Sequence, residues 1–176
     1  MIDQLFKQIS PEEIGDKFNI FTLIDLFTIT AGDHDHYNSM VGSGGGFGLL
    51  FKKATVWCNI RSDRYTIELI EKKQTYTLSY FPNEYKPKIL FLGSKSGRNS
   101  NKMEEVELTI IETPSGNISF KEAQLIIECR LVQTTISDIN DFHSQEAKEW
   151  LKNAYKSSDD YRKYVFGEIT HIWLKK

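Results

Sequence analysis

Two cysteines in 176 residues, Cys58 and Cys129, are too few and too far apart to make a disulfide framework. Their spacing fits neither a zinc site nor a thioredoxin-type pair. Each sits in an apolar run, which predicts buried, reduced thiols packing as small hydrophobes. A basic surplus is also lacking: 22 Lys and Arg meet 24 Asp and Glu, for a net charge of −2 and a pI near 6.1. That balance argues against a general nucleic-acid binder. No apolar run approaches the roughly 20 residues that cross a bilayer. The opening residues lack the basic-then-apolar layout of a signal peptide, so the expected address is the cytoplasm. No repeat, low-complexity tract or linker interrupts the chain, and one domain over 1–176 is expected.

What is present is mostly strand-like. Residues 20–24 and 26–30 are rich in β-branched and aromatic side chains, as are 54–60. Residues 75–81 alternate cleanly at period two. Residues 123–132 form a longer run with Leu125, Ile127, Cys129 and Leu131 on one face, and 165–174 close the chain as a strand. Helices are short. One is predicted over 66–73 with Thr66 as N-cap, and one runs to a stop at Gly93 with Pro87 near its first turn. A third extends from Ser100 to Glu105. The clearest starts at Ser144, with Ala147, Trp150, Leu151, Ala154 and Tyr155 as its apolar stripe. Strands separated by short helices predict a mainly antiparallel barrel with helical additions.

Residues 37–66 hold the most chemistry. The glycine-rich part, Gly42 to Gly48, fits neither the dinucleotide fingerprint nor a P-loop. It suits either a flat ligand lying on main chain or a flexible loop. Arg61 and Arg64 bracket a strand end and a helix start, where free N–H groups and guanidinium forks favour phosphate. The competing reading is surface arginines paired with Asp63 or Glu68. Ser94, Lys95, Ser96, Gly97 and Arg98 offer hydroxyls, cations and a permissive glycine, suited to an anion or to a solvated loop. Asp33, His34, Asp35 and His36 hold metal-ligating side chains without scaffold spacing, so a solvated turn is expected there. His171 shares a strand face with Ile169 and Trp173 and reads as a core or interface histidine. No hydrolase or metalloprotease motif is present, so an enzyme here would draw its chemistry from a cofactor.

Taken as a set, these segments resemble the flavin reductase-like family of FMN-binding split-barrel proteins, which includes flavoredoxin. The matching residues are Ala31-Gly32-Asp33, Tyr37-Asn38-Ser39-Met40, Arg61-Ser62-Asp63-Arg64-Tyr65-Thr66 and Gly93-Ser94-Lys95-Ser96-Gly97-Arg98-Asn99. Glu128-Cys129-Arg130 and Gly167-Glu168-Ile169 continue the match in order. The resemblance implies a mainly β, six-stranded, antiparallel Greek-key split barrel, a homodimer, and FMN near the subunit interface. It places Asn38, Ser39, Met40, Val41, Gly42 and Ser43 beside the flavin ring, with the Ser43 hydroxyl near N5. It places Arg61, Arg64, Tyr65 and Thr66 on the phosphate, with Ser94, Lys95, Ser96 and Gly97 closing the site. The implied activity is that of an NAD(P)H-dependent flavin reductase or flavoredoxin-like electron carrier, by hydride transfer to flavin N5. A non-catalytic flavin-binding or interaction protein on the same barrel is the alternative. Gly44 departs from the family's tryptophan and Ser62 from its proline.

Overall fold

The computed structural model describes residues 1–19, 23–154 and 162–176. In chain order these form β1 (Phe6–Ile9), α1 (Pro11–Lys17), β2 (Phe27–Gly32), β3 (Tyr37–Gly42), β4 (Gly45–Leu50) and β5 (Lys53–Arg61). There follow α2 (Tyr65–Lys73), β6 (Thr75–Tyr80), α3 (Lys86–Ser94), α4 (Lys102–Glu105), β7 (Ile110–Glu112) and β8 (Ile118–Phe120). The last elements are β9 (Leu125–Ile136), α5 (Gln145–Ala154) and β10 (Arg162–Lys175).

Eight strands make one antiparallel sheet in the order β3-β2-β6-β9-β10-β5-β4, with β1 added to β10. The expected antiparallel, mainly β architecture holds, and the strand count is eight rather than six. The difference comes from short pieces such as β1, whose four residues show no period-two pattern. β10 makes the architecture possible. Its first half pairs with β5 through residues 162–168, its second half pairs with β1, and β9 runs along the other side. Irregularities at Phe166/Gly167 and Ile169/His171 bend it between the two partners. The sheet curls without closing. β3 and β4 lie at opposite ends of its order, yet only Ser43 and Gly44 separate them in sequence.

The curled sheet buries Ile29, Val56, Ile60, Leu78, Ile127 and Val165 on its inner face, and α2 seats Ile67 and Ile70 against them. Cys58 and Cys129 sit in this core as free thiols, and burial pushes the Cys58 thiol up to about 12. A second cluster holds α3 against β8 through Ile89, Leu92 and Phe120. The β7–β8 hairpin, which turns through residues 113–117, is tied to the sheet by Ser79–Ser119 hydroxyls at 2.8 Å. It is also tied by the buried Glu128 carboxylate, which accepts from Thr113 Oγ1 (2.8 Å), Asn117 Nδ2 (2.7 Å) and Trp173 Nε1 (2.7 Å).

Several local expectations shift. Arg64, not Thr66, is the N-cap of α2; Thr66 lies inside the first turn, buried. Residues 20–22 of the first predicted strand lie outside the described residues, and Leu23 and Ile24 precede β2 without joining it. The glycine-rich segment is no loop: it is the end of β3, a two-residue link and β4. On α5, Leu151 points inward while Trp150 is mostly exposed, so the apolar stripe is wider than the surface it covers. Tyr155, its last member, lies outside the described residues.

Candidate functional site

A cavity of about 230 Å³ lies where β3, the start of α2, the end of α3, the 95–98 turn and the start of α4 converge. Each wall follows from local chemistry. β3 is an edge strand packed closely by α3, where a Cβ on Gly93 would come within 2.3 Å of Val41 Cγ1. The 95–98 turn presses on β3 too, since a Cβ on Gly97 would reach 2.1 Å from Asn38 Oδ1. Asn38 is buried and donates from Nδ2 to Thr66 Oγ1 at 2.8 Å, which locks β3 to the first turn of α2. By helix geometry the first main-chain N–H groups of α2 have no intrahelical acceptor, and they sit at this wall.

The lining is cationic. Arg64, Lys95, Arg98 and Lys102 border the cavity, against the one carboxylate of Asp63. Lys102 is buried, and its Nζ donates to the carbonyls of Leu92 (2.7 Å) and Lys95 (3.2 Å), capping the end of α3. Two of its three donors are thereby used. Burial, with the Arg64 charge added, pulls its amine down from 10.5 to about 8. Arg98 donates to the Asp63 carbonyl at 2.8 Å, pairs with Glu68 and lies over the Tyr65 ring. Tyr65 is held from its other end by His36 Nε2 at 2.6 Å. Arg64 pairs with Asp63 and Lys95 with Glu105, so the buried Lys102 beside Arg64 is the part of the lining chemically most suited to an anion.

Of the residues expected at the site, Asn38, Met40, Val41, Arg64, Tyr65, Thr66, Lys95, Ser96 and Gly97 line this cavity. Ser39 does not: it is fully buried, its hydroxyl 2.8 Å from that of Thr30. Gly42 lies against the Phe27 ring, and Ser43 is exposed on the link to β4. Arg61 pairs with Asp63 at 2.9 Å, as its competing reading held, and Ser94 donates to the Phe91 carbonyl at 2.7 Å. Lys102, Arg98, Leu92, Gly93 and Asp63 were not among the expected cofactor-binding residues. A lysine seven residues beyond the Lys95 loop was the available signal for the most informative of them.

The other sequence candidates lie elsewhere. Asp33 accepts from the His36 main-chain N–H at 3.0 Å, forming the expected turn. Among the described residues no three His, Cys, Asp or Glu side chains gather as a metal site. His171 stacks on Trp173, its Nδ1 lying 3.8 Å from Glu128 Oε1, and is not in the cavity wall.

Comparison with known proteins bears on what this groove is for. The sequence profile of the flavin reductase like domain matches residues 47–176. The chain belongs to this family. Among solved structures, this flavin reductase-like chain superposes on flavoredoxin from Methanosarcina acetivorans with a TM-score of 0.66 at 16% identity, covering 87% of this chain and 69% of that one. An FMN-binding domain of a flavin reductases-like enzyme from Shewanella baltica gives 0.67 at 13% identity, with 96% and 76% covered. An FMN-binding protein from Thermus thermophilus, solved with bound 1-cyclohex-2-enone, gives 0.64 at 17% identity, with 85% and 70% covered. These likenesses establish the split-barrel fold. No match is found among the curated proteins. Family membership supports a flavin-related oxidoreductase. No helix among the described residues is long and apolar enough to cross a membrane.

Proposed function

We propose that this protein binds FMN with its phosphate in the cationic cavity and serves as an NAD(P)H-dependent flavin reductase or flavoredoxin-like electron carrier. The observation that carries the reading is Lys102, a buried ammonium beside Arg64 at the wall of a groove that opens along β3. At about 230 Å³ the cavity falls below the roughly 300 Å³ at which ligand pockets usually begin. It suits the phosphate and the adjoining chain of a mononucleotide, with the ring lying outside it along β3.

When bound, FMN supplies the hydride and electron chemistry. The chain's own residues bind and orient. Arg64 and Lys102 neutralise phosphate, the first turn of α2 adds main-chain donors, and Asn38 and Gly97 keep the 95–98 turn against β3. The purified protein should be yellow or take up added FMN, and NADH or NADPH should bleach the flavin bands without oxygen. A colourless protein that takes up no FMN would refute the reading. A yellow one that neither nicotinamide reduces would restrict it to electron transfer from another donor.

The reading extends to a homodimer, and the β4–β5 hairpin supports that part. Phe51 and Lys52 occupy its turn at φ 52° and 61°, a conformation suited to Asn or Gly. A phenylalanine 71% exposed there, with Leu49 81% exposed beside it, is a costly choice for a solvated turn. The half-exposed Trp57–Phe166 pair adds a separate apolar patch on the outer face of the sheet. Wild-type protein should sediment as a dimer at micromolar concentration. The double variant Leu49→Lys, Phe51→Asn should sediment as a monomer with unchanged thermal stability, because Asn fits the turn. A wild-type monomer would remove the dimer from the proposal.

A further inference from the structure

We propose that the cleft between α5 and the outer face of β5 and β10 is a second small-molecule site, for an uncharged aromatic ring carrying a hydroxyl group. The cleft does not depend on the flavin reading. It lies on the outer sheet face, while the cationic cavity is built on the other side of the β5 end from β3, α2 and α3.

Its volume is about 390 Å³. A dry cavity of roughly 150 Å³ already accepts benzene, so a one- or two-ring molecule fits. The walls are aromatic: Phe142 from the segment before α5, Trp150 from α5 and Tyr164 from β10. Arg162 lies over the Trp150 ring at 5.5 Å and forms part of the rim. Such walls present flat faces to a ring, while Ser144, Glu146 and Arg162 add polar groups to the lining.

The floor gives the second, independent observation. Ser137 is 8% exposed and Asn59 half-buried, and Ser137 Oγ and Asn59 Oδ1 both lack a hydrogen-bond partner. Native structures satisfy nearly all such atoms, because an unpaired buried hydroxyl or amide forgoes its bonds to water. Both residues border the cleft, so rotation of the serine hydroxyl or turning of the amide presents a donor and an acceptor to an occupant. A phenolic O–H both donates and accepts, and it complements this pair while its ring meets the aromatic walls. A purely apolar ring would leave both floor atoms unpaired, which is the basis for discrimination.

The test uses the full chain, with and without added FMN, and p-cresol against toluene as probes, with affinity read by ligand-observed NMR titration. The site predicts p-cresol binding about five-fold or more tighter than toluene, the worth of one hydrogen bond. Ser137→Ala should bring p-cresol to the level of toluene, and Ala147→Phe, which fills the cleft from α5, should abolish binding of both. Thermal unfolding of each variant verifies that it is folded. Equal affinity for the two probes, no p-cresol binding at millimolar concentration, or binding untouched by Ala147→Phe would each overturn the proposal. Loss of FMN uptake with p-cresol binding retained would count against the flavin reading alone.

Discussion

Lys102→Met will weaken FMN binding by about ten- to a hundred-fold and change riboflavin binding little. The side chains are similar in length, so the variant removes a charge and its hydrogen bonds while filling much of the same space. A hydrogen bond to a charged partner contributes about 1.5–3 kcal/mol, and each 1.4 kcal/mol is a factor of ten. Riboflavin lacks the phosphate and serves as the internal control. Arg64→Ala should discriminate between the two ligands in the same direction. Equilibrium fluorescence titration of both ligands against each variant measures this, and equal weakening of FMN and riboflavin would contradict the phosphate assignment.

The same lysine gives a pH signature. Burial and Arg64 hold its amine at about 8, below its ordinary 10.5. Below that value it is charged whether or not ligand is present; above it, phosphate must bring a proton back. FMN affinity should therefore fall as pH rises through about 8, and Lys102→Met should flatten the curve. The stability of the free protein carries the opposite sign. Between about 8 and 10.5 the unfolded chain holds the proton that the folded chain has lost, so this group's contribution to stability rises with pH across that window.

Glu128→Ala will cost about 3–5 kcal/mol of stability, because leaving a buried donor without its acceptor costs about 1–3 kcal/mol each. Glu128 is 0% exposed, and its two oxygens satisfy Thr113, Asn117 and the Trp173 indole. Those donors come from the β7–β8 hairpin and from β10, so truncation leaves three buried groups unpaired and loosens the hairpin from the sheet. Urea unfolding should show the loss. A change below 1 kcal/mol would mean that water replaces the carboxylate, against the burial of the site.

Legibility in the sequence followed the range of the interactions involved. β6 was readable because 75–81 alternates: Tyr76, Leu78 and Tyr80 enter the core, while the Thr77 and Ser79 hydroxyls bond the β7–β8 hairpin on the other, equally buried face. The glycine-rich segment was harder, because its glycines are shaped by a distant residue: the Trp57 indole lies over Gly46, where a Cβ would meet the ring at 2.2 Å. That contact depends on β4–β5 register, which glycines without side chains cannot announce. Arg64, Tyr65 and Thr66, which line the cavity, stand out in the sequence at the meeting of strand end and helix start, a local signal. Arg61 shares that signal and is instead paired with Asp63. Lys102 was missed as a binding residue because its position depends on reaching back to the end of α3, ten residues earlier at Leu92. Ser39 and Gly42 lie in β3 beside residues that line the cavity, yet Ser39 is buried on Thr30 and Gly42 packs against Phe27.

The link between β3 and β4 has a mechanical consequence. No ladder joins these two strands, and two residues between them limit their separation at that end to roughly 10 Å. Gly44 pins the gap, donating its N–H to Ile24 (2.7 Å) and accepting from Asn59 N–H (3.3 Å), with φ at 93°. Away from this clasp β3 is held by its ladder with β2 and by the Asn38–Thr66 hydrogen bond. The clasp therefore fixes where β3 and β4 part, and the ladder to β2 fixes the line along which the cavity wall runs.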